Sequence, residues 1–243
     1  MRFELIFSSI PGLLKGTILT LELFIISLVI GMCLALPLAI LRVQKNPLLW
    51  RPVHWYIYFF RGTPLLSQLF LIYYGLAQLE FIRASFLWAV LGRPFGCAII
   101  AFSLCSAAYT ANIIRGGIEA VSSGEVEAAR ACGMSTVLLY RRILLPCAFR
   151  LALPAYGNEV VGMVKATALA STITLMDITG ASRVIVAKTF APYELFISAA
   201  LIYLFITFII TRIINFVEKR LNRHLQPIHV QRSKLLIKEL EKI

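Results

Sequence analysis

One run of the sequence, residues 18–41, constrains the fold more than any other feature. It carries a single charged side chain, Glu22, near its start. A helix needs roughly 20 mostly apolar residues to cross the hydrocarbon core of a bilayer, because that core is about 30 Å thick and each residue rises about 1.5 Å. The run is also too long for the apolar core of a cleavable signal peptide. We therefore interpret residues 18–41 as an uncleaved transmembrane helix.

Four later runs also have the length and composition of membrane spans: residues 55–79, 95–114, 151–176 and 195–214. The whole chain is 59% hydrophobic and 15% charged, which is far more apolar than a water-soluble domain. Within the second run, Pro64 suits the first position of a helix, where its missing N–H would be unpaired in any case. Residues 55–60 would then form an interfacial lead-in. The sequence predicts an all-α integral membrane protein with five transmembrane helices.

The basic residues indicate which side of the membrane each loop occupies. The net charge is +12, but the lysines and arginines lie in short loops beside apolar runs and near the C-terminal end, which argues against nucleic-acid binding. They are concentrated between spans one and two, between spans three and four, and after span five, where the positive-inside rule places cytoplasmic segments. We predict an external N-terminus and a cytoplasmic C-terminus, with a transmembrane domain at residues 1–224 and a basic cytoplasmic tail at residues 225–243. A re-entrant sixth span at residues 81–91 is disfavoured because that stretch is too short.

The sequence lacks the patterns of common nucleotide-binding and catalytic sites. It has no G-x-x-x-x-G-K-[ST] phosphate-binding loop, so we do not expect the chain itself to bind ATP. It has no H-E-x-x-H or G-x-S-x-G pattern, which argues against a membrane-embedded enzyme. The five cysteines have no C-x-x-C spacing, and the three histidines have no partner at ligand spacing. We therefore expect no catalytic residue, no metal, no bound cofactor and no disulfide.

The loop at residues 115–150, between spans three and four, has the pattern of two short helices. Ser122 followed by Glu125 forms a capping box, which predicts a helix start. Gly133 is the residue type that ends a helix in a left-handed conformation without strain. Ser135 can cap a second helix, and Pro146 is expected to end it. That second helix would carry an apolar stripe of Val137, Tyr140 and Leu144.

This loop resembles the EAA loop of ATP-binding-cassette importer permeases. The matching residues, in their family spacing, are Glu127, Ala128, Ala129, Gly133, Ile143, Leu145 and Pro146. Three further segments resemble the polar amino-acid permeases, in particular the histidine, arginine and octopine/nopaline branch: Phe60-Arg61-Gly62-Thr63-Pro64-Leu65, Ala107-Ala108-Tyr109-Thr110 and Asn158-Glu159-Val160-Val161. The resemblance covers about residues 12–219.

The resemblance implies a type I importer permease fold in a bacterial inner membrane, with the EAA residues docked in a groove of a separate ATPase. It also implies a set of partners: a second, homologous permease subunit, two copies of an ATP-binding subunit that holds ATP and magnesium, and an external substrate-binding protein. The transported substrate would be a polar amino acid, a basic one or an opine-like derivative. An ATP-independent secondary transporter or channel subunit is the alternative, and a solvated hairpin without a partner is the structural alternative for the loop.

Polar residues at membrane depth are candidates for the substrate path, because ionisable groups there cost a few kcal/mol each. In the fourth span they are Asn158, Glu159, Lys165 and Thr167, and in the first span Glu22. Asn158 and Lys165 share a helical face with Gly162. The same side chains could instead form interhelical hydrogen bonds, and Glu22 could be an interfacial residue that reaches the headgroups. For Arg61, within Arg61-Gly62-Thr63-Pro64, we expect a position near the cytoplasmic headgroups.

Overall fold

The computed structural model describes residues 3–221 and consists of helices joined by short turns, with no strand in that range. The predicted tail at residues 225–243 lies outside the described residues. The α-helices are α1 Phe3–Arg42, α2 Pro47–Gly62, α3 Leu65–Phe70, α4 Glu80–Arg83, α5 Trp88–Leu91, α6 Pro94–Glu119, α7 Ser123–Ala131, α8 Thr136–Leu139, α9 Leu145–Ala166, α10 Ile178–Thr189 and α11 Pro192–Leu221. The all-helical fold class predicted from the sequence is confirmed.

Three of these helices, α1, α6 and α11, are long and apolar enough to cross a membrane. They contain the predicted spans at residues 18–41, 95–114 and 195–214. A fourth candidate combines residues Thr136–Ile173 with α10, two parts that meet at a bend of 47°. The predicted span at residues 151–176 falls mostly in the first part. The number of spans and the orientation of the termini stay predictions.

The second apolar run is not one helix, because the chain breaks at Thr63 and Pro64, which have extended backbone conformations. Pro64 therefore precedes α3 and is not its first residue. The side-chain amide of Gln68 closes the break: its Nε2 donates to the carbonyl oxygens of Phe60 at 2.9 Å and Thr63 at 3.1 Å, and to the Thr63 hydroxyl at 2.8 Å. The apolar helix that follows, Leu65–Gln78, is shorter than the other candidates. The interruption predicted from the sequence is confirmed, and a buried amide stabilises it.

The two helices at the centre, α1 and α6, approach closely through small side chains. On α1 these residues recur every four positions: Ser27, Gly31, Ala35 and Ala39. On α6 the buried small residues include Ser103, Ser106, Ala107, Ala108, Thr110 and Ala111. A Cβ atom at Gly31 would lie 2.9 Å from the Cβ of Ser106. Small residues allow two helix backbones to pack this closely in a membrane, where van der Waals contact stabilises association.

On its other side α6 packs against α9, again at a glycine. A Cβ atom at Gly117 would lie 2.5 Å from the carbonyl oxygen of Ala148, near the start of α9. This contact fixes α9 relative to the centre of the bundle at the end where α7 and α8 lie.

We expect Gly31→Leu to destabilise the protein by about 1–3 kcal/mol, because the new side chain would force α1 away from Ser106. Thermal unfolding in detergent can be followed by the exposure of the buried thiols of Cys97 and Cys105. The control is Gly116→Leu on α6, where an added Cβ meets no atom within 4 Å. Equal melting temperatures of the two variants would contradict the packing role assigned to Gly31.

The topology predicted from the charges can be tested with a phosphatase reporter that is active only outside the cytoplasmic membrane. A fusion after Ser85, between α4 and α5, is expected to be active. A fusion after Gly124, in α7, is expected to be inactive. The opposite pattern would reverse the orientation and place α7 and α8 on the external side.

Candidate coupling hairpin and substrate path

Residues 123–144 form a helical hairpin at one end of the bundle, with α7 as its first arm. The chain turns after α7 at Gly133, whose φ of +76° lies in the left-handed region. An added Cβ at Gly133 would meet no atom within 4 Å, so the backbone conformation, and not crowding, selects glycine. The prediction of a left-handed glycine at this turn is confirmed.

The two predicted helix caps have different outcomes. The Ser135 hydroxyl accepts a hydrogen bond from the backbone N–H of Leu138 at 3.4 Å, as expected for a cap of the second arm. Ser122 precedes α7 but makes no capping bond through its side chain. The Glu125 carboxylate instead lies 3.9 Å from the Sγ of Cys147 in α9. The predicted start of the helix is therefore confirmed. The prediction that the Ser122 and Glu125 side chains form the reciprocal bonds of a capping box is wrong.

The prediction that Pro146 ends the second arm is wrong. The chain continues from α8 through a π-helical segment, Tyr140–Leu144, directly into α9, with Pro146 in the first turn of α9. The backbone N–H of Leu145 bonds to the carbonyl of Tyr140, five residues earlier. A proline clashes with the carbonyl four residues before it, and the wider π turn accommodates it. The second arm of the hairpin is consequently continuous with α9, which is part of the fourth candidate span.

The EAA residues divide between an exposed side and a buried side of the hairpin. Glu127, Ala128, Gly133 and Pro146 are exposed, and Ile143 and Leu145 are partly buried. Ala129 is only 4% exposed and packs in an apolar cluster with Ala39 of α1 and Ile114 of α6. The exposed residues thus form a surface that is open to a partner, and Ala129 attaches α7 to the bundle.

The predicted apolar stripe of the second arm is only partly correct. Leu144 is buried, but Val137 is 78% exposed and Leu139, at 2% exposure, occupies the interior instead. The π segment has wider turns than an α-helix, with backbone bonds to the fifth preceding residue. The three-and-four spacing of an α-helix therefore does not predict which residues share a face across this segment.

Two of the fourth-span candidates lie on one exposed side of α9. Asn158, Gly162 and Lys165 are all exposed there, and an added Cβ at Gly162 would meet no atom within 4 Å. A cavity of about 430 Å³ opens beside Lys165 and is also lined by Tyr203 and Thr207 of α11. The shared face predicted from the spacing is confirmed, and its role in substrate passage stays a prediction.

The other candidates lie elsewhere. Thr167 is fully buried, and its hydroxyl donates to the carbonyl of Val164 at 2.6 Å. Glu22 is exposed on the outer side of α1. Glu159 is partly buried and points away from the face of Asn158, towards Cys105 and Tyr109 of α6.

Arg61 contributes to the surroundings of Glu159. Its guanidinium carbon lies 5.2 Å from the ring centroid of Tyr109 in the middle of α6, and it interacts electrostatically with Glu159. The structure places Arg61 beside Tyr109, and its position near the cytoplasmic headgroups stays a prediction. Arg61, Tyr109 and Glu159 come from the three separate segments that resemble amino-acid permeases, so the fold brings these segments together.

A buried network around Asp177 was not predicted. Asp177 is fully buried and accepts bonds from the N–H groups of Thr179 at 3.2 Å and Gly180 at 3.0 Å, and from the Tyr203 hydroxyl at 3.0 Å. The backbone N–H of Ile178 donates to the Thr20 hydroxyl of α1 at 3.3 Å. The network joins α1, α10 and α11. An aspartate directly before a helical run is a common N-cap, which is the signal that could have revealed it.

Comparison with known proteins identifies the family. Residues 27–223 match the family model described as "Binding-protein-dependent transport system inner membrane component". The chain belongs to this family. It is a permease subunit of an ATP-binding-cassette importer in the inner membrane, and membership implies an ATPase partner and a substrate-binding protein.

Individual relatives match over nearly the whole chain. The nopaline transport system permease protein NocM of Agrobacterium fabrum is 49% identical over 93% of this chain and 94% of its own length. The histidine/lysine/arginine/ornithine transport system permease protein HisM of Escherichia coli is 44% identical over 87% and 90%. A crystal structure of an amino acid ABC transporter with histidines has a TM-score of 0.80 and 33% identity, over 90% of this permease and 99% of that chain.

We expect Asp177→Ala to destabilise this permease by about 1–2 kcal/mol or more, because it removes the cap of α10 and leaves the Tyr203 hydroxyl without its carboxylate partner. Ser122→Ala is the matched control, since Ser122 also precedes a helix but makes no capping bond. Thermal unfolding in detergent measures both. A Ser122→Ala variant that melts as early as Asp177→Ala would show that the network contributes nothing specific.

Proposed function

We propose that this permease imports polar amino acids, basic ones or opine-like derivatives of them, and that an ATPase bound at the hairpin drives it. The relatives named for nopaline and for histidine, lysine, arginine and ornithine support this substrate class. The observation that carries the proposed mechanism is the continuity of the second hairpin arm with α9 through the Tyr140–Leu144 segment. A helix without a loop in that position transmits a displacement as a rigid body.

In this mechanism the partner ATPase holds the exposed side of the hairpin, including Glu127, Ala128 and Gly133. Closing of the ATPase moves α7 and α8, and the displacement passes into α9. That helix carries Asn158 and Lys165, so movement of the hairpin changes the exposure of the substrate path. No catalytic step occurs on this chain, and ATP and magnesium are bound by the ATPase.

The exposed face of α9 supports a second permease subunit. Asn158, Gly162 and Lys165 are polar or small, lie within the predicted fourth span, and are exposed in the part of the chain that the structure describes. Such a face is costly against lipid, which favours burial against a second, homologous subunit across a water-filled path. The assembly we propose has two permease subunits, two ATP-binding subunits and one external substrate-binding protein.

Within the path, Lys165 lines the 430 Å³ cavity and suits the carboxylate of an amino acid as a cation. Asn158, on the same face of α9, can add a hydrogen-bond donor. Glu159 faces away from Asn158 and interacts electrostatically with Arg61, and it is retained as a separate candidate for binding a cationic group of the substrate. Thr167 has its hydroxyl bonded to Val164 and serves the local backbone instead. Glu22, exposed on α1, is retained as an entry-side candidate.

The coupling role is tested with Gly133→Ala and Glu127→Ala in the assembled transporter. Alanine at Gly133 imposes about 1–2 kcal/mol of strain on a left-handed residue, and Glu127→Ala removes an exposed family residue. Both variants are expected to lose most ATP-driven uptake of labelled arginine into proteoliposomes that contain the binding protein, at unchanged membrane levels.

Gly124→Ala is the control, because Gly124 is exposed in α7 and does not have positive φ. Normal uptake by both Gly133→Ala and Glu127→Ala would refute the coupling assignment. Uptake by the parent that needs no ATP would favour the channel or secondary-transporter alternative.

A further inference from the structure

The corner between α1 and α2 carries cations that have no carboxylate within 4 Å among residues 3–221. The sequence contains no aspartate or glutamate between Glu22 and Glu80, yet it contains Arg42, Lys45 and Arg51 in that interval. Across residues 3–221, the one ion pair within 4 Å joins Arg115 and Glu119, at 2.9 Å. The positive charge of the corner is therefore available to an external anion.

These side chains are held in a fixed arrangement around Trp50. The guanidinium carbons of Arg42 and Arg51 lie 5.1 Å and 5.9 Å from the centroid of the Trp50 ring. The Nη2 of Arg42 lies 3.0 Å from Nδ1 of His54. A guanidinium can only donate, so Nδ1 accepts this bond and the ring proton is on Nε2, which can itself donate. We call Arg42, Lys45, Trp50, Arg51 and His54 the basic corner.

The helix that carries the corner has an aromatic outer surface. Val53 and Ile57 of α2 are buried against the bundle. The exposed apolar residues of the same helix are Leu48, Leu49, Trp55, Tyr58 and Phe59, with exposures from 44% to 81%. Aromatic side chains beside cations are typical of the boundary between headgroups and acyl chains. An acidic protein surface would bind the cations but would leave this apolar surface in water.

We propose that the basic corner is a binding site for one anionic phospholipid of the leaflet on the hairpin side. Its phosphate would accept hydrogen bonds from the guanidinium groups of Arg42 and Arg51 and from Nε2 of His54. The acyl chains would lie along the aromatic surface of α2. Charge complementarity selects an anion, and the adjoining apolar surface selects a lipid over a soluble phosphate.

The site lies beside the base of the hairpin. Val53 and Ile57 of α2 belong to the same apolar cluster as Ala129 of α7 and Leu139 of α8. A lipid at the corner would therefore fix the position of α2 against the hairpin from the membrane side.

The test is native mass spectrometry of the assembled transporter in detergent, titrated with phosphatidylglycerol or with phosphatidylcholine. The parent is expected to retain phosphatidylglycerol preferentially. Each arginine near an anionic membrane contributes about fivefold in affinity, so we expect about fivefold weaker binding for Arg51→Gln and about 30-fold for the double variant Arg42→Gln with Arg51→Gln.

Arg83→Gln is the matched control. The Arg83 guanidinium also lies 5.9 Å from a tryptophan ring, that of Trp88, but it is near the N-terminal end of α6, where Val90 of α5 contacts Gly96. This variant is expected to bind phosphatidylglycerol as the parent does. If the double variant does not assemble, Arg51→Gln alone remains informative, because Arg51 is exposed.

A second measurement uses the fluorescence of the tryptophans in a Trp88→Phe background, which leaves Trp50 and Trp55. Dibromo-phosphatidylglycerol should quench it more than dibromo-phosphatidylcholine, and Arg51→Gln should reduce that difference. Three results would overturn the proposal: unchanged lipid binding by the arginine variants, an equal loss in Arg83→Gln, or displacement of the lipid by equimolar glycerol phosphate. Loss of the ATPase from the arginine variants with lipid retained would assign the corner to a protein partner instead.

Discussion

The close contact between α1 and α6 is the constraint on which the rest of the bundle depends. Because Ser27, Gly31, Ala35 and Ala39 present little volume, α6 lies directly against α1 and is enclosed by its neighbours. In the most apolar 18-residue window of each helix, 67% of the residues of α6 are buried within the chain, compared with 11% of those of α11. α6 is thus the central support, and the outer side of α11 is left to lipid or to another subunit. The position of α9, and with it the candidate substrate path, follows from the second close contact of α6 at Gly117.

The hairpin is joined to this core in two ways that serve different purposes. Ala129 packs it against α1 and α6, which fixes its resting position. The Tyr140–Leu144 segment joins it to α9 without a loop, and the proposed coupling depends on this continuity. π-helical segments have longer-range backbone bonds than an α-helix and often occur at functional sites. Pro146, in the first turn of α9, would clash with the carbonyl four residues earlier in a regular α-helix, so it favours the π turn.

The features predicted from the sequence are those set by local chemistry. Apolar length predicted α1, α6 and α11, and the backbone preference of glycine predicted the turn at Gly133. Where prediction failed, the outcome depended on contacts far apart in the sequence or on an irregular backbone. Pro146 does not end a helix because a π turn accommodates it, and the network around Asp177 was missed because it joins α1, α10 and α11. Arg61, Tyr109 and Glu159 belong to segments that are far apart in the sequence. The spacing of residues along the chain does not predict that these segments meet in the fold.

The amide of Gln68, which bonds across the break between α2 and α3, bears on how the membrane protein is made. A bent chain in hydrocarbon exposes carbonyl groups that water cannot reach, and these normally require a neighbouring helix. Here the carbonyls of Phe60 and Thr63 are satisfied from within one short stretch. The break between α2 and α3 can therefore form as soon as this stretch leaves the translocon, before α6 has been synthesised. Later helices then pack against a segment that is already bent.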